Sequence, residues 1–446
     1  MLFRRDLFRI FAFSLYLVAA GTPLFSQAVS VAPLQQDLTR TIKLPIEEWL
    51  DQGERTEIPW KVSLSRPLLT YQLRNLVRVT AEVPADLLQK QGISHDLHFI
   101  VKAAPERGKW ESEESYSHFR VEAKLDSRAE LQMLAELYLQ SGVYTIATIV
   151  YDGASGKRNL SFTRVQVGAP AGDALPQLLG SLPKIQFLAP PDNAAPLAAG
   201  RILLPIATRR PVQLDLIVDL STPQETPDLR PVAFPPYSPY PVNPDWGPLP
   251  ASRSRTAATG TEVTRETYEQ SRLLQVASVL SAMDLKQGCI EVAAFDILRR
   301  RTILPLTAAS EVEWGKIRDE ILSPDHAMVS VADLKGRRDA GKFFQQELEQ
   351  TMTQPAPCKL NSRNSFQVIA ILTRGVRFPA GSDKPQIEPG CNCKVFYLQE
   401  TDGSASGGGD LKNMLKSLSP TTLQFGDPQD FRQKLLEFTR AMEKLP

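Results

Sequence analysis

The feature that most constrains this chain is a change of hydrophobic period partway along it. Before residue 170, apolar and polar residues alternate in short runs. After residue 204, apolar residues recur at helical spacing between compact apolar runs. A period of two buries one face of a strand and a period of 3.6 buries one stripe of a helix, so the regions call for different architectures. Residues 170–204, rich in Pro, Ala and Gly, read as a linker carrying a few apolar anchors. The chain is therefore expected to be multidomain.

In the first region Val121, Ala123 and Leu125 alternate with Glu122 and Lys124, the pattern of a half-buried strand. Residues 97–103 and 144–151 read as further strands, and Asp152-Gly153 with Gly156 as a turn into residues 160–167. Short strands with polar turns predict a β-sandwich over residues 57–169. Ser141-Gly142-Val143-Tyr144-Thr145-Ile146 resembles the tyrosine corner of immunoglobulin-like domains, with Ile146 where antibody domains carry their second cysteine.

In the second region residues 212–219, 289–296 and 302–306 read as buried strands, as do 366–373 and 394–399. Between them, Leu273, Val276, Ala277, Leu280 and Met283 fall at helical spacing, and Gly288 ends that stretch. Residues 312–322 form a second helical pattern, and Ala340, Phe343, Phe344, Leu348 and Met352 a third. Asp427-Pro428-Gln429-Asp430 opens a last helix through Phe431, Leu435, Phe438 and Met442. Strands alternating with helices predict an α/β domain over residues 205–446, a Rossmann-type parallel sheet covered on both faces. Its ligand end lies beyond Asp219 and Thr373.

The start of the chain reads as an export signal. Arg4, Arg5 and Arg9 precede an uncharged apolar run, residues 10–20, too short to span a bilayer, and Ser26-Gln27-Ala28 offers a cleavage site. Residues 1–28 are thus a signal peptide, residues 29–56 a leader segment, and the location periplasmic or extracellular. Removing residues 1–28 takes three arginines and one aspartate from 51 basic and 50 acidic residues, leaving 48 − 49 = −1. Such a balance gives no reason to expect nucleic acid or anionic lipid as partner. No later run is long and apolar enough to cross a membrane. An exported chain oxidises its cysteines. Of Cys289, Cys358, Cys391 and Cys393, Cys391-Asn392-Cys393 is too tight to bridge to itself. A disulfide from Cys358 to Cys391 or Cys393 is expected, because both ends precede strands expected to be neighbours.

Leu214-Asp215-Leu216-Ile217-Val218-Asp219 followed by Leu220-Ser221-Thr222-Pro223 resembles the first strand of a von Willebrand factor A domain. More closely, the chain resembles the VWFA-related proteins of acidobacteria. The likeness extends to Leu182-Pro183-Lys184-Ile185, to Arg209-Arg210-Pro211-Val212, and to Cys393-Lys394-Val395-Phe396-Tyr397. It implies a divalent-cation site built from D-x-S-x-S, a distant threonine and a distant aspartate, whose oxygens converge on a hard ion. Asp219 and Ser221 match, but Pro223 has no oxygen to offer, and Thr373-Arg374-Gly375 puts a guanidinium where the family has a carboxylate. The expectation is a site without metal or cofactor, in which Asp219 caps the strand end or pairs with Arg374. Asp219, Ser221, Thr373 and Arg374 remain candidate ligand-binding residues.

Other motifs weigh less. His95 and His98 have a ligand-like spacing but no third partner in sequence, so ordinary polar roles are expected; His118 and His326 stand alone. Arg299-Arg300-Arg301 reads as a solvated edge, and Ser406-Gly407-Gly408-Gly409 lacks the lysine and frame of a phosphate loop. There is no G-x-S-x-G elbow and no H-E-x-x-H, so no catalytic residue is assigned. An insertion at residues 227–260 carries Pro235-Pro236-Tyr237-Ser238-Pro239-Tyr240-Pro241 and Trp246. Stiff prolines and broad aromatic surfaces suit a protein partner, with Tyr237, Tyr240 and Trp246 as contacts; a plain surface loop is the equal alternative. The function expected is that of an exported binding or scaffolding protein acting through a metal-independent von Willebrand A-like domain, not an enzyme. The alternatives are a carboxylate-dependent hydrolase using Asp219 or Asp296, and a purely structural envelope component.

Overall fold

The computed structural model describes residues 36–37, 43–85, 88, 94–121, 130–169, 183–188, 204–221, 265–321, 323, 336–353, 365–378, 381–388, 393–401 and 409–445. Eleven strands belong to the first unit. They are β1 (Gln36–Asp37), β2 (Arg55–Thr56), β3 (Lys61–Leu64), β4 (Leu68–Leu69), β5 (Asn75–Pro84) and β6 (His95–Pro105). Then follow β7 (Ser115–Val121), β8 (Glu130–Leu139), β9 (Gly142–Asp152), β10 (Lys157–Val167) and β11 (Ile185–Phe187).

These strands make two antiparallel sheets, ordered β1-β7-β6-β9-β10-β2 and β11-β8-β5-β3, with β4 pairing β5. Alternation decides the packing. Leu97, Phe99, Val101 and Ala103 of β6 turn inward against Val77, Val79, Ala81 and Val83 of β5, forming one core between the sheets. The other face of β6 carries Ile100, which lies with Tyr116 and Ile149 under Trp49 and Leu50 of helix α1 (Ile46–Gln52).

The second unit holds β12 (Leu204–Ile206), β13 (Val212–Asp219), β14 (Met283–Leu285), β15 (Cys289–Asp296), β16 (Arg301–Ala308), β17 (Phe366–Thr373), β18 (Cys393–Glu400) and β19 (Thr421–Phe425). Its helices are α2 (Arg265–Ser281), α3 (Trp314–Ile321), α4 (Ala340–Thr353), α5 (Asp410–Met414) and α6 (Pro428–Glu443). The larger sheet runs β16-β15-β13-β17-β18-β19, and β12 with β14 forms a separate two-stranded ladder. Leu214, Leu216 and Val218 bury one face against α2, α3 and α6; Ile217, Ile369 and Ile371 bury the other against α4 and α5. Asp427 caps α6 by accepting from the backbone N–H groups of Gln429 and Asp430, with Pro428 at the first turn. Among the described residues no helix is long and apolar enough to cross a membrane.

The expected fold class is corrected. Antiparallel and mixed sheets dominate the described chain and helices are few, so it is not an immunoglobulin-like sandwich followed by a Rossmann-type parallel α/β domain. Within the larger sheet β16 runs antiparallel to β15, with a register irregularity between Val292 and Phe295. The short turn from Ile297, with Arg300 at φ 55°, returns the chain directly instead of through a crossover helix. The tyrosine corner fails as well. Tyr144 Oη donates to the carbonyl of Lys184, 3.4 Å away and forty residues downstream, not to backbone just upstream.

The turn between β4 and β5 belongs physically to both units. Thr70 and Arg74 close it by a 2.8 Å backbone hydrogen bond, and Leu73 sits at φ 60°. A non-glycine residue there costs about 1 kcal/mol or more. Tertiary packing holds it, because Tyr71 and Leu73 are buried in the same core as β13, α2 and α6.

Candidate functional site

Asp219 ends β13, flanked by β15 and β17, so the sheet register sets what surrounds it. Its Oδ1 accepts from the backbone N–H of Ser221 at 3.0 Å and from Ser221 Oγ at 2.5 Å, the local turn that short polar side chains favour. Its Oδ2 accepts from Thr373 Oγ1 at 2.7 Å. Ser221 Oγ in turn accepts from the N–H groups of Ile297 at 2.7 Å and Leu298 at 3.2 Å, tying the β15–β16 turn to β13. Gln270 of α2 closes the edge by donating to the Leu220 carbonyl at 2.6 Å. Three of the residues singled out in sequence, Asp219, Ser221 and Thr373, are thus brought together.

Arg374 is placed differently from the expectation of a bond to Asp219. Its Nε lies 3.4 Å from Glu400 Oε2, and Glu400 also pairs with Arg272 of α2. One carboxylate thus serves two guanidinium groups, and the trio keeps one net positive charge. Gly375 takes φ 89° at the next position, a backbone conformation that glycine adopts without steric cost. Burial pushes the Asp219 carboxyl up to about 6, against the hydrogen bonds from Ser221 and Thr373. Tyr397 is pushed up by burial and then by the Asp219 charge, and its hydroxyl has no hydrogen-bond partner among the described residues. Glu400, Arg272 and Tyr397 were missed in sequence. A strand-end glutamate and a mid-helix arginine carry no local signal of mutual contact.

Tyr237, Tyr240 and Trp246 lie outside the described residues, as do Cys358, Cys391, the signal peptide and His326. Cys289 and Cys393 are both disulfide-bonded. Cys289 faces Gln213, and Gln367 faces Cys393, so β13 and β17 stand between the two. Three strand spacings of about 4.8 Å exceed the reach of a single bridge, so neither cysteine is the other's partner.

A second cluster was not foreseen. Asp96 and His98, two residues apart on β6, share a face, and the β6–β7 hairpin sets His118 opposite His98. Asp96 lies 2.5 Å from His118 Nε2 through Oδ1 and 3.3 Å from His98 Nε2 through Oδ2. His98 Nδ1 is 2.9 Å from Tyr116 Oη, and the two imidazoles stack at 4.6 Å with 6° between planes. Burial and then the neighbouring His118 hold His98 below the usual histidine range. Burial raises the Asp96 carboxyl, but His118 and His98 outweigh it and the net shift is downward. His95 is not part of this group and pairs with Asp152 at 3.0 Å. The reading of His118 as isolated is thus corrected. The missing signal was the hairpin register, which pairs residues 98 and 118.

No family model matches the chain, and no curated protein matches it. Among solved structures, the chain is similar to a β-glucosidase from Listeria innocua at 15% identity and a TM-score of 0.16, covering 32% of this chain and 22% of that one. It is also similar to a family 123 glycoside hydrolase from Clostridium perfringens at 8% identity and a TM-score of 0.23, covering 86% of this chain and 88% of that one. Neither likeness is close enough to carry an argument.

Proposed function

We propose that this chain is an exported binding or scaffolding protein that engages a protein partner without a metal at Asp219. The observation that carries the reading is the enclosure of Asp219. Both of its oxygens are hydrogen-bonded to Ser221 and Thr373, and the residue is 1% exposed. Asp296, the other acid considered for hydrolysis, is also buried. Carboxylates that act on a substrate must reach the reacting bond, and buried, hydrogen-bonded ones serve better as locks between strands. Asp219 and Ser221, which resemble the cation motif of VWFA-related proteins, act in this reading as a buried lock at the strand end and not as the contact surface. The oxidised Cys289 and Cys393 support an oxidising compartment, in line with residues 1–28 as an export signal.

The test compares the intact chain with one lacking residues 231–248 by cross-linking in an envelope extract. One defined protein recovered with the intact chain, and at least tenfold less with the deletion, is the expected result. Turnover of a chromogenic ester or glycoside, abolished by Asp219→Asn or Asp296→Asn in a folded variant, would overturn the proposal in favour of a hydrolase. Equal recovery by both chains would remove residues 227–260 as the partner-binding element.

A further inference from the structure

We propose that Asp96, His98 and His118 form a binding site for one divalent transition-metal ion, with zinc as the ion they fit best, on the outer face of the first unit's larger sheet. The inference is independent of the reading at Asp219. Two imidazole nitrogens and a carboxylate are the donor set that zinc accepts in three-ligand sites, where a further position stays open to water. The candidate ligand atoms all lie within 4.8 Å of one another. Zinc bonds of about 2.0–2.2 Å place neighbouring donors roughly 3.4 Å apart in a tetrahedral shell. The two contacts use different Asp96 oxygens, Oδ2 at 3.3 Å from His98 Nε2 and Oδ1 at 2.5 Å from His118 Nε2, so the carboxylate must turn to present one oxygen at that spacing from both nitrogens. The stacked rings must also tilt toward a common point, a motion available to His118, which is partly exposed.

Regular strand pairing, not a loop, sets the three residues, so the donors sit on a rigid frame. Tyr116 engages Nδ1 of the fully buried His98 and leaves Nε2 facing Asp96, the outer-shell contact that orients metal-bound histidines. Asp152 Oδ1 accepts from the Asp96 backbone N–H at 3.0 Å, and Gly153 donates to the Asp96 carbonyl at 2.7 Å, which fixes this end of β6. Gly153 supplies the second, independent observation. A Cβ there would lie 2.8 Å from Asp96 Oδ2 and 3.4 Å from His98 Nε2, so the glycine keeps open the space over two of the donors. The Asp96 side chain is 29% exposed and that of His118 17%, which leaves an approach for the ion and its water. With neutral imidazoles the three donors carry one negative charge, which favours a divalent cation.

The full chain, oxidised and stripped with a chelator, is titrated with zinc by calorimetry, with cobalt absorbance as a second readout. One ion per chain at micromolar affinity or tighter is expected, with the thermal midpoint rising on zinc addition. His118→Asn should weaken zinc by about tenfold or more. Gly153→Ala leaves all three donors in place and needs no unusual backbone angle, and it should weaken binding comparably while the zinc-free midpoint stays near that of the parent. Absence of binding at tens of micromolar zinc, or binding that both folded variants retain, would overturn the proposal and leave Asp96 and His118 as an ordinary ion pair.

Discussion

Tyr71 and Gly426 stand 355 residues apart in sequence and are joined by a 3.2 Å hydrogen bond from the tyrosine hydroxyl to the glycine carbonyl. The same hydroxyl accepts from Arg272 at 2.8 Å, and the ring packs edge-on to Phe425 at 6.0 Å. A turn of the antiparallel first unit is therefore a core component of the second. Tyr71→Ala is expected to cost about 3–5 kcal/mol and to split denaturant unfolding into two transitions. Tyr71→Phe keeps the packing and loses the hydroxyl, at about 1–2 kcal/mol. Urea titration followed by fluorescence and far-ultraviolet dichroism checks both values.

Asp219 should make stability fall as pH rises across the weakly acidic range. Its carboxyl is raised from 3.8 to about 6, so the folded state holds the proton more tightly than the unfolded state. The contribution is complete below 3.8 and is lost as pH rises through about 6. The loss is on the order of 2–3 kcal/mol. Asp219→Asn should remove this part of the slope, and denaturant midpoints of both proteins from pH 4.5 to 8 measure the difference.

Glu400 is buried between Arg272 and Arg374, with its side chain 1% exposed. Glu400→Gln leaves two guanidinium groups poorly compensated and should destabilise by about 3–5 kcal/mol. Replacing all three residues by methionine should recover most of that loss, because packed apolar groups substitute well for a buried ion network. Calorimetric melting of the single and triple variants tests the pair of expectations.

Tyr397→Phe is expected to be neutral or to stabilise by about 1 kcal/mol. Its hydroxyl is buried without a partner among the described residues, and removing an unsatisfied polar group relieves a desolvation cost. A loss above 1 kcal/mol in the same melts would mean the hydroxyl has a partner.

The legible parts of this protein were those encoded over a few neighbouring residues. The strand read at residues 212–219 is β13, and the Asp427 cap with Pro428 starts α6, because burial period and capping are properties of adjacent residues. Asp219 and Ser221 were singled out as the first two positions of an implied cation motif, and the structure instead joins them to each other by hydrogen bonds. Thr373 needed an implied family pattern to be noticed. His118 was missed because nothing in its own surroundings says which strand lies beside it.

What the sequence determined by itself is therefore the change from period two to period 3.6, the faces that are buried, and the local caps and turns. What only the tertiary structure decided is strand direction, hairpin register and the contact between units. Parallel and antiparallel strands share the same two-residue alternation, so periodicity could not report that β16 runs against β15. Register belongs to a pair of strands and not to either one. Asp96, His98 and His118 converge only once β6 and β7 align, just as Arg272, Glu400 and Tyr71 meet only once the two units close.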